Sequence, residues 1–253
     1  MLKKTLTTGL IATGACAQAQ SQTIVTFEAV AATFKPAEAY SLSTQTLWRA
    51  GDFALQADFT LTTVTDAAVF SFPNSPTISG ENVIMGLHAV YPITDHFRIG
   101  GFTTFSFIPD SFYAQASTLG AEAMISIGKL DIEVAAAFEF PFHYVDSYRS
   151  GHLFFAAYYE ISPQIEVSLE SSAWVSEVGP ISRQIFTSAN LSYSAPLAPI
   201  TFKIGALRRF HIDFEPITSV QASVSYEFGA PTENRPFGRR GFDYLARTVS
   251  GRS

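Results

Sequence analysis

Residues 130–142 read Leu-Asp-Ile-Glu-Val-Ala-Ala-Ala-Phe-Glu-Phe-Pro-Phe. Leu130, Ile132, Val134, Ala136, Phe138, Phe140 and Phe142 share one parity, while Asp131, Glu133, Ala135, Ala137 and Glu139 share the other. Successive side chains of a β-strand point to opposite faces, so an extended segment gains an apolar face and an acidic one. On a helix the same carboxylates would fall inside the apolar stripe. The run is slightly longer than the about 9–11 tilted residues with which a strand crosses a bilayer. Segments of this kind need an apolar surrounding for one face and a polar one for the other.

The rest of the chain repeats the pattern. Strands are predicted at 41–50, 53–64, 81–91, 96–108, 115–128, 130–142, 152–161, 164–176, 184–195, 200–210 and 217–229. Residues 23–34 alternate through Val25, Phe27, Ala29 and Ala31, and read either as a further strand or as an amphipathic helix ended by Lys35-Pro36-Ala37-Glu38. Five connections are short: Gly51-Asp52, 92–95, Gly128-Lys129, Ser162-Pro163 and 196–199. Those between them, at 66–80, 109–114, 143–150, 177–183 and 211–216, tend to be longer. Tight turns alternating with longer loops are the layout of outer-membrane barrels. An even strand count would return both ends of the barrel to one side, which favours twelve. The expected fold class is all-β: a transmembrane up-and-down antiparallel barrel of twelve strands.

Composition decides what surrounds that barrel only in part. Charged residues make up 15% of the chain, against roughly 25% in soluble domains, and no run approaches the roughly 18 apolar residues of a membrane helix. A large soluble β-sandwich satisfies the same numbers. Lipid is favoured by aromatics gathered toward strand ends (Trp48, Tyr91, Phe107, Phe140, Tyr159, Tyr193, Phe202, Phe210, Tyr226 and Phe228) around Ala-rich strand centres, as in interfacial girdles. The opposite parity carries Ser, Thr, Gln and scattered charge, as a wet lumen would. Lys3 and Lys4, the apolar 6–15 and Ala17-Gln18-Ala19 predict a secretory signal peptide over 1–19. This leaves a barrel domain at 20–229 and a basic tail at 230–253. Cys16, the one cysteine, leaves with the leader. Alternatively it is a lipid acceptor, since Thr13-Gly14-Ala15-Cys16 loosely resembles a lipobox without its usual Leu.

From residue 20 onward the chain resembles Gram-negative outer-membrane β-barrels of the porin type, at the level of architecture. Residues 219–228, Ser-Val-Gln-Ala-Ser-Val-Ser-Tyr-Glu-Phe, resemble the C-terminal insertion signal of such barrels, but 25 residues follow Phe228 where that signal usually closes the chain. The resemblance implies insertion by the barrel-insertion machinery, outer-membrane lipid around the strands, both termini in the periplasm, and small solutes or ions as cargo.

With the polar parity inward, the acids are Asp58, Glu122, Asp131, Glu133, Glu139, Glu160, Glu166, Glu170 and Glu227, and the bases Arg49, Arg98, Lys203 and Arg209. Glu122 through Glu170 lie on the sixth to ninth strands, opposite Arg49, Lys203 and Arg209 on the second and eleventh. A carboxylate-rich constriction favours cations. Passive, cation-favouring diffusion is therefore expected, with Glu122, Glu133, Glu139, Glu166 and Glu170 facing Arg98, Lys203 and Arg209. The same charges paired with one another would instead fill a narrow barrel with a structural or adhesive role. Phe154, Tyr158, Trp174 and Phe186 also face in, as packing or as a stacking surface for a solute. The tail carries Arg235, Arg239, Arg240, Arg247 and Arg252 against Glu233 and Asp243, which suits a plug for the acidic lumen, a contact with anionic envelope polymers, or a plain extension.

A lipid-active enzyme is the third reading. Twelve-strand phospholipase barrels resemble the chain in size, but their His-x-Ser pair is absent: His88, His96, His143, His152 and His211 are followed two places on by Val90, Arg98, Val145, Phe154 and Asp213. His143, Asp146, His211 and Asp213 form a weaker rim constellation of the kind that protease barrels use. No motif implies a cofactor. No closed ligand set for a metal, phosphate-binding glycine loop or nucleic-acid patch is present.

Overall fold

The computed structural model describes residues 23–34, 37–50, 52–68, 77–107, 116–141, 150–176, 183–211, 216–228 and 237. Twelve strands run in chain order: β1 Thr23–Phe34, β2 Ala37–Ala50, β3 Phe53–Ala68, β4 Thr77–Thr94, β5 Phe97–Phe107, β6 Ala116–Ile127, β7 Leu130–Pro141, β8 Ser150–Ser162, β9 Ile165–Ser176, β10 Arg183–Ser194, β11 Ile200–His211 and β12 Ile217–Phe228. Each pairs antiparallel with its sequence neighbours, and β1 pairs with β12 from Val25↔Phe228 to Thr33↔Val220, which closes the barrel. Residues 23–34 are therefore the twelfth strand rather than a helix. Closure gives every strand two partners, so no edge of unpaired N–H and C=O groups is left.

The hairpins after β2, β4, β6, β8 and β10 lie at one end, hereafter the turn end, where β1 begins and β12 finishes. Gly128 in the β6–β7 turn has φ 62°, a left-handed conformation that glycine adopts without a side-chain clash. The other end, the loop end, carries the longer connections, apart from the two residues between β1 and β2. Strands β3 and β4 extend beyond their predicted limits and shorten the expected 66–80 loop. Backbone pairing continues there from Val64↔Gly80 to Ala68↔Thr77 across a register shift, because ladder bonds need no particular side-chain pattern.

Burial is inverted relative to a soluble protein. Leu119, Phe138, Leu153 and Ile204 are more than half exposed, whereas Gln56, Asn82, His88 and Glu133 are wholly enclosed. An apolar coat this continuous needs an apolar solvent, which removes the soluble-sandwich alternative. Exposed Trp48, Tyr91, Tyr159, Tyr193 and Tyr226 ring the turn end, and Tyr40, Phe140 and Phe210 lie toward the loop end. Glu81 and Arg208, on the outward face, sit near the loop end, where long side chains reach an interface; the Arg208 guanidinium lies 4.9 Å from the Phe210 ring.

Ile204 lies mid-strand on the outward face beside Leu191 and Ala222. Ile204→Arg is expected to lower stability by about 2–4 kcal/mol in denaturant unfolding from liposomes. Ser192→Arg, on the half-buried inward face, should stay within about 1 kcal/mol.

Candidate functional site

Among the described residues the lumen is where polar and charged side chains gather. Inward positions are even on β1, β3–β6 and β8–β10, and odd on β2, β7, β11 and β12. Every charged residue expected inside has inward parity, and Glu28 on β1 joins them. The interior is uneven. Asp58, Arg98, Glu122, Glu133 and Glu139 are buried; Arg49, Asp131, Glu166, Glu170, Lys203 and Arg209 are half-buried; Glu160 and Glu227 are exposed at the turn end. Side chains thus pack the β3–β7 half; across β9–β12 Ser168, Ser172, Phe186, Asn190 and Gln221 are buried as well, and accessible inner surface remains at Glu166, Glu170, Lys203 and Arg209.

The packed half centres on His88. Its Nδ1 lies 2.8 Å from Glu122 Oε1 and its Nε2 3.0 Å from Asp58 Oδ2. Glu122 stands on β6, two strands away from β4. It crosses β5 over Gly100, its register partner, where a Cβ would lie 3.0 Å from Glu122 Oε1. On the other side Gly86 is the register partner of Asp58, where a Cβ would meet the Asp58 Cβ at 3.4 Å. Phe102 stacks on the imidazole, with centroids 5.6 Å apart and planes inclined by 22°. That ring lies over Gly120, whose added Cβ would be 2.5 Å from it. Inward glycines therefore make the space in which large inward neighbours reach each other. An imidazole between two carboxylates, each held to its own strand, ties β3, β4 and β6 together.

Further round, Glu139 Oε2 lies 3.1 Å from His152 Nε2, and His152 meets Trp174 with ring centroids 6.5 Å apart. Of the four inward aromatics, Phe154 and Phe186 share the register partner Ser172 on β9. Phe154 packs on Phe102, Ala135 and Ala137; Tyr158, Trp174 and Phe186 are buried on β8, β9 and β10. Across β9, β10 and β12, Asn190 donates to Ser168 and Glu170 and accepts from Gln221 at 2.7 Å. Asn190 occupies the space beside its register partner Gly205. Ser223 donates to Glu28 at 2.7 Å, and Lys203 Nζ is 3.9 Å from the same carboxylate oxygen.

The expected opposition of an acidic and a basic wall is modified by these partners. Arg98 stands on β5 among the acids and donates to Met124 Sδ at 2.6 Å. Arg49 and Lys203 lie on β2 and β11, with β1 and β12 between them. Sequence reasoning passed over Glu28 and His88. His88 was recognisable as the residue opposite Val83, Met85, Leu87 and Ala89 in its strand. Glu28 was hidden by the ambiguity of the Ala-rich 23–34 segment. His143, Asp146 and Asp213 lie outside the described residues, as do the side chain of His211, residues 1–19 and all of 230–253 except Phe237. Among the described residues no group of His, Cys, Asp and Glu could hold a metal ion.

No family model matches the chain, and no curated protein sequence matches it. Solved structures do. The NanC porin aligns with TM-score 0.64 at 11% identity over 80% of this chain and 98% of its own. An outer-membrane channel from Pseudomonas putida F1 aligns with TM-score 0.59 at 10% identity over 82% and 96%. The KdgM porin, solved in complex with disordered oligogalacturonate, aligns with TM-score 0.54 at 12% identity over 80% and 99%. At these identities the likeness is one of fold: the chain has the architecture of outer-membrane porins.

Replacing His88 by Leu leaves Asp58 and Glu122 enclosed without the ring between them. We expect a loss of about 3–5 kcal/mol in denaturant unfolding from liposomes. Much of that loss should be recovered in the triple variant that also carries Asp58→Asn and Glu122→Gln.

Proposed function

We propose that the chain is a passive outer-membrane channel for small hydrophilic solutes that favours cations. The turn end would face the periplasm, with 1–19 as the export signal. The observation that carries this reading is the set of half-buried charged residues Glu166, Glu170, Lys203 and Arg209 on the inward face of β9 and β11 of a closed barrel. Inward carboxylates outnumber inward guanidinium and ammonium groups around the barrel, and a net negative wall attracts cations and repels anions. A polyanion such as the oligogalacturonate of the KdgM structure would meet Glu28, Glu166 and Glu170 on that side and be repelled by them. Outer-membrane lipid would cover the outward face, and the barrel-insertion machinery would read residues 219–228. The solute is moved by its own gradient, so no cofactor enters the reading.

The enclosure of Gln56, His88, Glu133 and Glu139 favours one second reading, a side-chain-filled barrel with a structural or adhesive role. Planar-bilayer recording across a salt gradient separates the two. A channel should give a reversal potential of cation-selective sign. The Glu166→Gln/Glu170→Gln variant should move it toward zero with conductance retained. Absence of current from folded protein would reject the channel and leave the filled barrel.

A further inference from the structure

Phe237 lies beyond the last strand, yet it is 1% exposed and belongs to a buried cluster with Ile24, Leu47, Ala54, Val90 and Met124. Those residues come from β1, β2, β3, β4 and β6, all near the turn end. The backbone carbonyl of Phe237 accepts from Gln45 Nε2 at 3.1 Å and from Gln56 Nε2 at 3.0 Å. Its ring lies 5.7 Å from the Arg98 guanidinium of β5, a cation–π geometry. One residue of the C-terminal segment is thus gripped by six consecutive strands.

We propose that Phe237 is a latch that plugs part of the turn end from inside the barrel and narrows the channel described above, on whose reading this inference rests. Three observations support it. First, reach suffices: the nine residues from Phe228 to Phe237 can span about 30 Å, and β12 is already beside β1. Second, the contact is specific in its polar part, because two buried glutamine amides donate to one carbonyl. An aromatic that merely collapsed onto an apolar wall would leave that carbonyl without them. Third, the latch joins the central network. The amide nitrogen of Gln56 that holds Phe237 also lies 3.2 Å from Asp58 Oδ1, and Asp58 contacts His88, which contacts Glu122. A cavity of about 120 Å³ remains beside the ring, lined in part by Leu47, Arg49, Gln56, Val90 and Arg98. The opposite side of the mouth, toward Glu166, Lys203 and Ser225, keeps half-buried inward residues, so the plug covers one side and leaves a leak on the other.

The test uses the full chain, folded in planar bilayers and in liposomes. Phe237→Ala, and separately removal of residues 230–253, should each raise single-channel conductance about twofold, since about half of the mouth's wall is uncovered. Docking is read independently. Cys16 is the only native cysteine and lies in the segment read as the leader; in a Cys16→Ser background Phe237→Cys becomes the only thiol. It should react slowly with a water-soluble maleimide, and at least tenfold faster when Gln45→Ala and Gln56→Ala release the carbonyl. Rapid labelling of Phe237→Cys in the otherwise intact barrel would overturn the latch. A barrel that conducts identically with and without 230–253 would overturn the plug and leave the channel reading intact. A barrel silent in both forms would overturn plug and channel together, with slow labelling then marking a structural anchor.

Discussion

The pairing of β1 with β12 is the contact on which everything else depends. In hydrocarbon no water is present to satisfy a backbone N–H or C=O, so an open sheet would leave two strand edges unsatisfied at a cost of several kcal/mol per group. The register from Val25↔Phe228 to Thr33↔Val220 removes both edges at once. Once closed, the barrel has one inside and one outside, and strand alternation then sorts every side chain. Outward residues become a lipid coat. Inward residues, whatever their polarity, must come to terms with one another or with water.

They do so in two ways. Across β3–β7 the interior is packed by complementary size: Glu122 over Gly100, Phe102 over Gly120, Asp58 beside Gly86. Charges there are matched at short range, as with His88 between two carboxylates and Arg98 over Phe237. Across β9–β12 the contacts mostly involve neutral polar side chains, as in Gln221 to Asn190 and Ser223 to Glu28, and the charged Glu166, Glu170, Lys203 and Arg209 stay half-buried. A passage through this barrel would therefore run off-centre, past Glu166, Glu170 and Lys203, with the first half of the chain as a packed wall and Phe237 seated against it.

Strand existence and facing were legible because alternation is local and survives without knowledge of the partner. The 130–142 run becomes β7 over Leu130–Pro141, and 217–229 becomes β12 over Ile217–Phe228. Strand ends were less legible, as at β3 and β4, because ladder bonds continue past the last patterned residue wherever a partner strand is at hand. Individual charges could be assigned to the lumen by parity. Which of them are enclosed could not be, since enclosure depends on a glycine in the neighbouring strand or on the ring of Phe237. Glu122 illustrates this: its parity is visible in the sequence, but its reach to His88 depends on Gly100, which sits on a different strand. Phe237 has no periodic context, so nothing local distinguished it from the basic residues around it.

The most direct test of this two-sided, inside-out barrel is single-cysteine accessibility along β9 and β5 in liposomes, in the Cys16→Ser background. On β9, cysteines at the half-buried Glu166 and Glu170 should react with a water-soluble thiol reagent, while those at Ile165, Val167 and Leu169 should be shielded and quenched by a lipid-phase quencher. On β5, cysteines at Arg98, Phe102 and Ser106 should be shielded from both probes. A lack of period-two alternation on β9, or aqueous labelling of its odd positions, would contradict the barrel's facing. Equal aqueous labelling of the inward positions on β5 and β9 would contradict the division of the lumen into a packed and an accessible side.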